Sequence, residues 1–312
     1  MPSCKLLAIF LFIALSPITA CADANDHAEP PRSSDPDTPA ADAPATQAAT
    51  TQPATTKPAW PPLYRPYARI LARFVDKKGG VNYESLQRHR TDLDTFTQSI
   101  ADLDPNILKQ WDKSDQLAFW INAYNALTLQ AIVDHYPFTK RTDKSQPANS
   151  IRQIPGVWDK LKFTVMAKPL TLNDIEHNII RKQFNEPRIH LALVCASGGC
   201  PALRAEPFIA ERLDKQLNAE AKRFLANPVK FHITKDGRVA LSSIFDWYGQ
   251  DFLPLDQRKE KANDRAAKQA AVITFITRFV DEKTANALRA YRGKIRWLDY
   301  DWSLNEQPTP KR

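Results

Sequence analysis

The chain has 312 residues, with 43 lysines and arginines against 35 aspartates and glutamates, so its formal net charge is +8. It has only eight glycines and shows no phosphate-binding loop, no dinucleotide fingerprint and no Gly-x-Ser-x-Gly elbow. This argues against the nucleotide-binding and serine-hydrolase classes that depend on those motifs. Beyond the N-terminus, no run is long and apolar enough to span a membrane.

The N-terminus has the pattern of a secretory signal. Residues 1–21 combine a positive charge, a short apolar stretch at 6–16 and small residues before a cysteine. Residues 18–21 (Ile-Thr-Ala-Cys) resemble the bacterial lipoprotein cleavage box, which predicts lipidation of Cys21 and a lipid anchor in the membrane. An ordinary signal peptide is the alternative. Ala22 in place of an aspartate indicates an outer-membrane lipoprotein facing the periplasm of a Gram-negative envelope.

The next segment is predicted to be a tether. Residues 22–59 consist mainly of Ala, Thr, Pro, Asp and Gln, and cannot bury enough apolar surface to fold. They carry −4 and the signal carries +1, which leaves +11 for a domain over 60–312. Such a domain favours anionic partners, although a solvated basic surface explains the same charge. In this compartment nucleic acid is not an expected partner.

The longest helical pattern runs over 113–135, with a proline at position 137 that ends it. Its residues are apolar almost all round, which predicts a central helix that is buried on every side. Asn122 and Asn125 lie three positions apart and therefore share a face. Buried amides need partners, and we expect these two to bond a neighbouring backbone.

The remaining elements are predicted from apolar spacing and turn residues. Helices are predicted at 64–74, 86–103, 172–184, 209–226, 266–280 and 284–291, and strands at 161–166, 169–171, 190–195, 229–233, 239–242 and 295–300. Because helices and strands segregate along the chain, we predict a single α+β domain in which the central helix packs against a mostly antiparallel sheet.

Five motifs resemble those of the bacterial family known as domain of unknown function 547, and they occur in the family's order. They are Phe-Trp-Ile-Asn-Ala-Tyr-Asn-Ala at 119–126, Leu-Asn-Asp-Ile-Glu-His at 172–177, His-Leu-Ala-Leu-Val-Cys-Ala-Ser-Gly-Gly-Cys-Pro at 190–201, Leu-Ser-Ser-Ile-Phe-Asp-Trp-Tyr at 241–248 and Tyr-Asp-Trp-Ser-Leu-Asn at 300–305. The resemblance implies membership of this family and brings little settled function with it.

The order of elements is also similar to that of papain-like cysteine peptidases. In those enzymes the nucleophilic cysteine begins the central helix, and the base is a histidine that opens the next strand. His190 matches the position of that base. No cysteine stands at the start of the 113–135 helix, so the nucleophile has either moved or been lost.

Cys195 is the candidate for a relocated nucleophile. Glycines at 198–199 let the loop backbone approach a substrate and offer N–H groups to an oxyanion. On a regular strand His190 faces away from Cys195, which makes His177 the better base, with Asp246 or Asn122 to orient it.

Two other interpretations of Cys195 stay open. Cys4 is lost with the signal and Cys21 is lipidated, so Cys195 and Cys200 are the remaining thiols in an oxidising compartment. They form a disulfide in one interpretation, and in the other Cys195 is a small buried apolar residue. The spacing of the two cysteines together with His177 and His190 matches no zinc-binding pattern. No metal or cofactor is therefore predicted.

Two functions follow from these alternatives. The first is a thiol-dependent envelope hydrolase or acyltransferase that acts on peptide or amide bonds, with Cys195 as nucleophile and His177 or His190 as base. The second is a non-catalytic envelope binding module that keeps a peptidase-like scaffold and holds a peptide or cell-wall glycan in its cleft.

Overall fold

The computed structural model describes residues 60–308. The predicted signal peptide at 1–21, with Cys21 as lipidation site, and the predicted tether at 22–59 lie outside the described residues. Within 60–308, no helix has both the length and the apolar character needed to cross a membrane.

The central helix is α5, Lys113–His135, as the sequence predicted. Every side chain from Leu117 to Leu129 is buried, because the helix is surrounded by packed elements on all sides. It ends where Tyr136 takes an extended conformation, which is the conformation that a following proline favours. Three helices within residues 65–102 form the N-terminal part of the shell around it.

The other helices are short. The α-helices besides α5 are α1 (Arg65–Phe74), α2 (Tyr83–Arg88), α3 (Thr91–Asp102), α4 (Pro105–Gln110), α6 (Arg181–Gln183), α7 (Leu213–Leu225), α8 (Ile244–Trp247), α9 (Arg265–Ile276) and α10 (Glu282–Ala290). A π-helix, Asp174–Ile180, leads directly into α6. Single 3₁₀ turns cover Pro62–Tyr64, Ile151–Gln153, Pro187–Leu191, Ala210–Arg212, Gly249–Phe252 and Leu255–Gln257.

The strands form two small sheets. An antiparallel hairpin joins β1 (Phe163–Val165) to β2 (Lys168–Leu170), with Phe163 opposite Leu170. A three-stranded sheet has the order β3 (Phe231–Ile233), β4 (Val239–Ser242), β5 (Arg296–Leu298).

In the three-stranded sheet β3 and β4 are antiparallel, and β4 and β5 are parallel. The α+β class is therefore confirmed. Side chains of this sheet, such as Leu241, pack into a second apolar cluster with α9 and α10 rather than into the cluster around α5.

The predicted strand at 190–195 is wrong. Pro187–Leu191 is a 3₁₀ helix, and the backbone from Ala192 onward is irregular. Asn125 on α5 replaces the missing strand partner, since its amide donates to the Ala192 carbonyl at 3.0 Å and accepts from the Val194 N–H at 2.8 Å. A continuous apolar run fits a buried irregular segment as well as a buried strand, so the pattern alone did not separate them.

Asn122 holds a second segment in the same way. Its Nδ2 donates to the Phe208 carbonyl at 2.8 Å, and its Oδ1 accepts from the Phe208 N–H at 2.9 Å. Both amides of the central helix are thus satisfied by neighbouring backbone, which is the arrangement that burial requires.

We predict that Asn122→Ala lowers the free energy of unfolding by about 3 kcal/mol, because both polar groups of the Phe208 backbone lose their partner in a buried site. Urea denaturation measures the change. Asn178→Ala is the control, since Asn178 is exposed and makes its hydrogen bonds at the surface. A loss for Asn122→Ala no larger than the control would contradict this account of the helix.

Candidate functional site

Four of the predicted site residues line one cavity of about 470 Å³, whereas Asn122 does not. Six segments build the cavity: α5, residues 158–159, the π-helix with the residue before it, the 190–201 segment, α8 with the residue after it, and the C-terminal segment 300–302. The lining residues are Tyr124, Trp158, Asp159, Asn173, Glu176, His177, His190, Leu193, Cys195, Cys200, Pro201, Ile244, Trp247, Tyr248, Tyr300 and Trp302. His177, His190, Cys195 and Cys200 are therefore brought together, although the sequence separates them by up to 23 positions.

Cys195 and Cys200 are joined by a disulfide, with their Cα atoms 6.1 Å apart. Tyr300 lies against the bridge: its hydroxyl is 3.2 Å from Cys195 Sγ and 3.1 Å from Cys200 Sγ. Ser197 Oγ lies 3.2 Å from Cys195 Sγ. Within residues 60–308 no imidazole nitrogen lies within hydrogen-bond reach of Cys195 Sγ, so the bridge forms part of the cavity wall and holds no thiolate in this state.

The loop between the two cysteines does not offer its glycine N–H groups to a substrate. Gly198 donates to the Ser303 carbonyl and Gly199 to the Asp301 carbonyl, both at 2.7 Å. A Cβ atom on Gly199 would lie 2.6 Å from the ring of Tyr300. The glycines therefore serve close packing against the C-terminal segment, and the predicted oxyanion role of these N–H groups is wrong.

His190 is buried and has one fixed partner. Its Nε2 lies 2.8 Å from Asp251 Oδ2, and its ring stacks on Tyr248 with the centroids 3.9 Å apart. Arg181 holds the same carboxylate with two hydrogen bonds, of 2.6 and 3.0 Å. Asp251 therefore positions the imidazole and fixes its orientation.

Burial lowers the pKa of His190 despite the hydrogen bond to Asp251, so the ring is neutral at pH 7. Burial alone would raise the pKa of Asp251, but the hydrogen bonds from His190 and Arg181 outweigh it and hold that pKa well below its usual range. The carboxylate is ionised and accepts the Nε2–H of the ring, which leaves Nδ1 as the lone-pair nitrogen.

Asp251 was not predicted from the sequence, which suggested Asp246 or Asn122 as the residue that orients a histidine. Asp246 is exposed, and Asn122 faces Phe208 and does not line the cavity. The signal that could have found Asp251 was its place in the aromatic segment 244–252, five residues after Asp246. The aspartate at the far end of that segment reaches His190.

Glu176 and His177 lie side by side on the π-helix, and both line the cavity. Glu176 is buried, whereas the His177 side chain is 38% exposed. Arg181 Nη1 donates to His177 Nδ1 at 3.0 Å. The pKa of Tyr124 is raised by its burial and, to a smaller extent, by the neighbouring carboxylate of Glu176.

Aromatic rings make the remaining wall. Trp247, on α8, is 51% exposed although it is a large apolar side chain. Its ring centroid lies 4.8 Å from that of Tyr300, which in turn lies 4.5 Å from Trp302. Trp158 meets Trp302 edge to face at 6.0 Å. This wall offers flat apolar surface to a ligand at the cavity mouth.

A metal site is not formed by these residues in the structure. Within the part of the chain from 60 to 308, no three His, Cys, Asp or Glu side chains are grouped so that they could hold a metal ion.

We predict that peptide mapping without reductant recovers Cys195 and Cys200 in one bridged peptide. Replacing both residues by serine is expected to lower the free energy of unfolding by about 2 kcal/mol, because a closed loop of this length restricts the unfolded chain by about that amount. Urea denaturation of the native and doubly substituted proteins measures it. Recovery of two free thiols from native protein would contradict the bridge.

The buried histidine predicts a pH dependence of stability. Since burial lowers the pKa of His190, the unfolded chain binds a proton more readily than the folded chain below pH about 6.5. The contribution of His190 to the free energy of unfolding is therefore fully present above that pH. It decreases as the pH falls, by at most about 1.4 kcal/mol per pH unit. Urea denaturation across this range should show a shallower slope for His190→Gln. Asn178→Ala, a substitution of an exposed residue with no titratable group, should keep the native slope, and equal slopes in all three proteins would refute the assignment.

Comparison with known proteins identifies a family. Residues 108–225 match a family described as "Protein of unknown function, DUF547". The match contains three of the five motifs, at 119–126, 172–177 and 190–201. No curated protein and no solved structure was found to match the chain. The predicted resemblance is confirmed over residues 108–225, which match the model of the DUF547 family.

Proposed function

We propose that the domain is a non-catalytic binding module of the cell envelope, whose cavity holds a segment of peptide or cell-wall glycan. The observation that carries this proposal is the composition of the cavity wall: a set of aromatic rings faces a disulfide rather than a thiol. The volume of about 470 Å³ lies in the range of small-ligand sites.

Hydrolysis by a thiol needs three groups that this state of the site does not assemble. The sulfur of Cys195 is bonded to Cys200, and the N–H groups of Gly198 and Gly199 are bonded to backbone carbonyls. Within the described residues, Cys195 Sγ has Ser197 and Tyr300 as polar neighbours and no imidazole nitrogen within hydrogen-bond reach. A binding role requires no change in any of these contacts.

The aromatic wall supports binding directly. An exposed tryptophan at a cavity mouth gains apolar contact when a ligand covers it, and stacked rings accept both sugar faces and extended peptide side chains. Trp247 stands at the mouth, and Tyr300 and Trp302 continue the surface inward. Because Tyr300 also contacts the disulfide, the bridge fixes the inner end of this wall.

The proposed location follows from the N-terminal sequence. Lipidation of Cys21 would anchor the protein in the outer membrane through acyl chains, and residues 22–59 would tether the domain on the periplasmic side. A cavity that is presented on a tether suits a polymer or peptide that is itself part of the envelope.

One observation favours a second candidate, a thiol-dependent hydrolase or acyltransferase that acts on peptide or amide bonds. Cys195 and His190 line the same cavity, and Asp251 holds Nε2 of the ring so that Nδ1 carries the lone pair. In this candidate an external dithiol first reduces the disulfide by thiol–disulfide exchange and is itself oxidised, which frees Cys195 and Cys200 as thiols. Cys195 then acts as the nucleophile with His190 or His177 as its base.

We predict that Trp247→Ala weakens ligand binding about tenfold, because the variant removes an aromatic contact at the cavity mouth. Tryptophan fluorescence titration with N-acetylglucosamine oligomers and with cell-wall peptides measures the affinity. Leu255→Ala is the matched control, since Leu255 is an exposed apolar residue outside the cavity.

The behaviour of the protein on reduction separates the two functions. The binding proposal expects the native, disulfide-bonded protein to bind its ligand, and it expects no release of product from peptide amides before or after reduction. Product release that appears on reduction and disappears in Cys195→Ser would replace the binding proposal by the thiol hydrolase.

A further inference from the structure

The charge of the cavity is opposite to the charge of the protein. The chain as a whole carries +8. Among the cavity-lining residues, however, the fully charged side chains are Asp159 and Glu176, and neither lysine nor arginine is present. The two lining histidines differ from them, since His190 is neutral at pH 7 and His177 is bonded to Arg181. The lining is therefore acidic on an otherwise basic molecule.

Glu176 is the more unusual of the two acids, because its side chain is only 8% exposed. Within the described residues, no lysine or arginine nitrogen lies within 4.0 Å of its carboxylate, and the nearest basic atom is His177 Nδ1 at 3.9 Å. Arg181 is close in sequence, but its guanidinium is bonded to Asp251 and to His177. Tyr124 and Tyr248 hydrogen-bond with the carboxylate, and Arg181 interacts with it electrostatically from a longer distance. None of these contacts places a cation against it, so the site favours a ligand that brings one.

The aromatic residues suit the same ligand. Ring faces attract ammonium and guanidinium groups, and the interaction strengthens where water is excluded. Two rings of the cavity already contact cations of the protein itself: Arg152 lies 4.6 Å from the Trp302 ring centroid, and Arg181 lies 5.2 Å from that of Tyr248. Within residues 60–308, no lysine or arginine lies over the rings of Trp247 or Tyr300, so these two rings and the buried carboxylate remain to favour the positive charge of a ligand.

We propose that the cavity binds the primary ammonium group of a lysine-type side chain in a peptide, with Glu176 as its counter-ion and the rings of Trp247, Tyr300 and Trp302 along its alkyl chain. This inference rests on the proposed binding function and names the ligand class for it.

The shape of the site favours a peptide amine over an amino sugar. Trp247 at the mouth is half-exposed, whereas Glu176 at the inner end is buried. A slender four-carbon chain can carry an ammonium group from the mouth to a buried carboxylate. In an amino sugar the nitrogen is attached directly to a broad ring, which would have to enter the cavity itself.

The test compares two peptides that differ in charge alone: acetyl-Gly-Lys-Gly-amide and the same peptide with norleucine in place of lysine. Isothermal titration calorimetry on the native protein is expected to give an affinity at least about tenfold higher for the lysine peptide. Glu176→Gln keeps the shape of the side chain and should lower the ratio of the two affinities to about one, as measured with both peptides on the same variant. Asp159→Asn, at the exposed acid, should change the preference by less than about threefold.

The outcomes also separate this inference from the proposed function. If Trp247→Ala weakens both peptides equally and Glu176→Gln leaves the lysine preference intact, the ammonium assignment is overturned and the binding module stands. Tight binding of a glucosamine oligomer without binding of the lysine peptide overturns the peptide assignment in the same way. If no tested peptide or glycan binds in a manner that depends on Trp247, both proposals fail.

Discussion

The pairing of the central-helix amides with irregular backbone is the interaction on which the rest of the structure depends. Helix α5 is buried on all sides, so Asn122 and Asn125 have no water to bond and must find protein partners. Asn125 hydrogen-bonds to the backbone of Ala192 and Val194, and Asn122 hydrogen-bonds to the backbone of Phe208. Two segments without regular hydrogen-bond ladders are thereby fixed at both sides of the cysteine loop. The helix thereby determines the position of the disulfide and of the cavity wall.

The functional side chains in and next to the cavity come from distant parts of the chain. The π-helix supplies Glu176 and His177, the segment after α8 supplies Asp251, and the C-terminal segment supplies Tyr300. Glu176 hydrogen-bonds with Tyr124 and Tyr248, and within the described residues no lysine or arginine nitrogen lies within 4.0 Å of its carboxylate. Under the proposed function, selectivity comes from this charge and from ring geometry.

The sequence predicted those features that depend on local pattern. The bounds of α5 and the α+β class followed from apolar periodicity and from a proline, and the motifs led to the family whose model matches residues 108–225. The strand at 190–195 failed because a buried apolar run has the same composition whether its partner is a strand or an asparagine side chain. The pair of His190 and Asp251 was missed because a spacing of 61 residues carries no periodic signal. Such contacts depend on tertiary packing alone.

The C-terminal segment has a consequence for how the protein matures. Residues 301–303 receive the N–H groups of Gly198 and Gly199, and Val81 near the start of the domain bonds to Asn305 and Gln307. The last residues of the domain therefore close the cavity wall and connect it to the first helices. A chain that emerges from a ribosome or a translocon cannot complete its pocket until translation of the domain has finished. Chains cut short before Tyr300 would therefore lack this part of the cavity wall, and a complete cavity reports that the whole domain has been made.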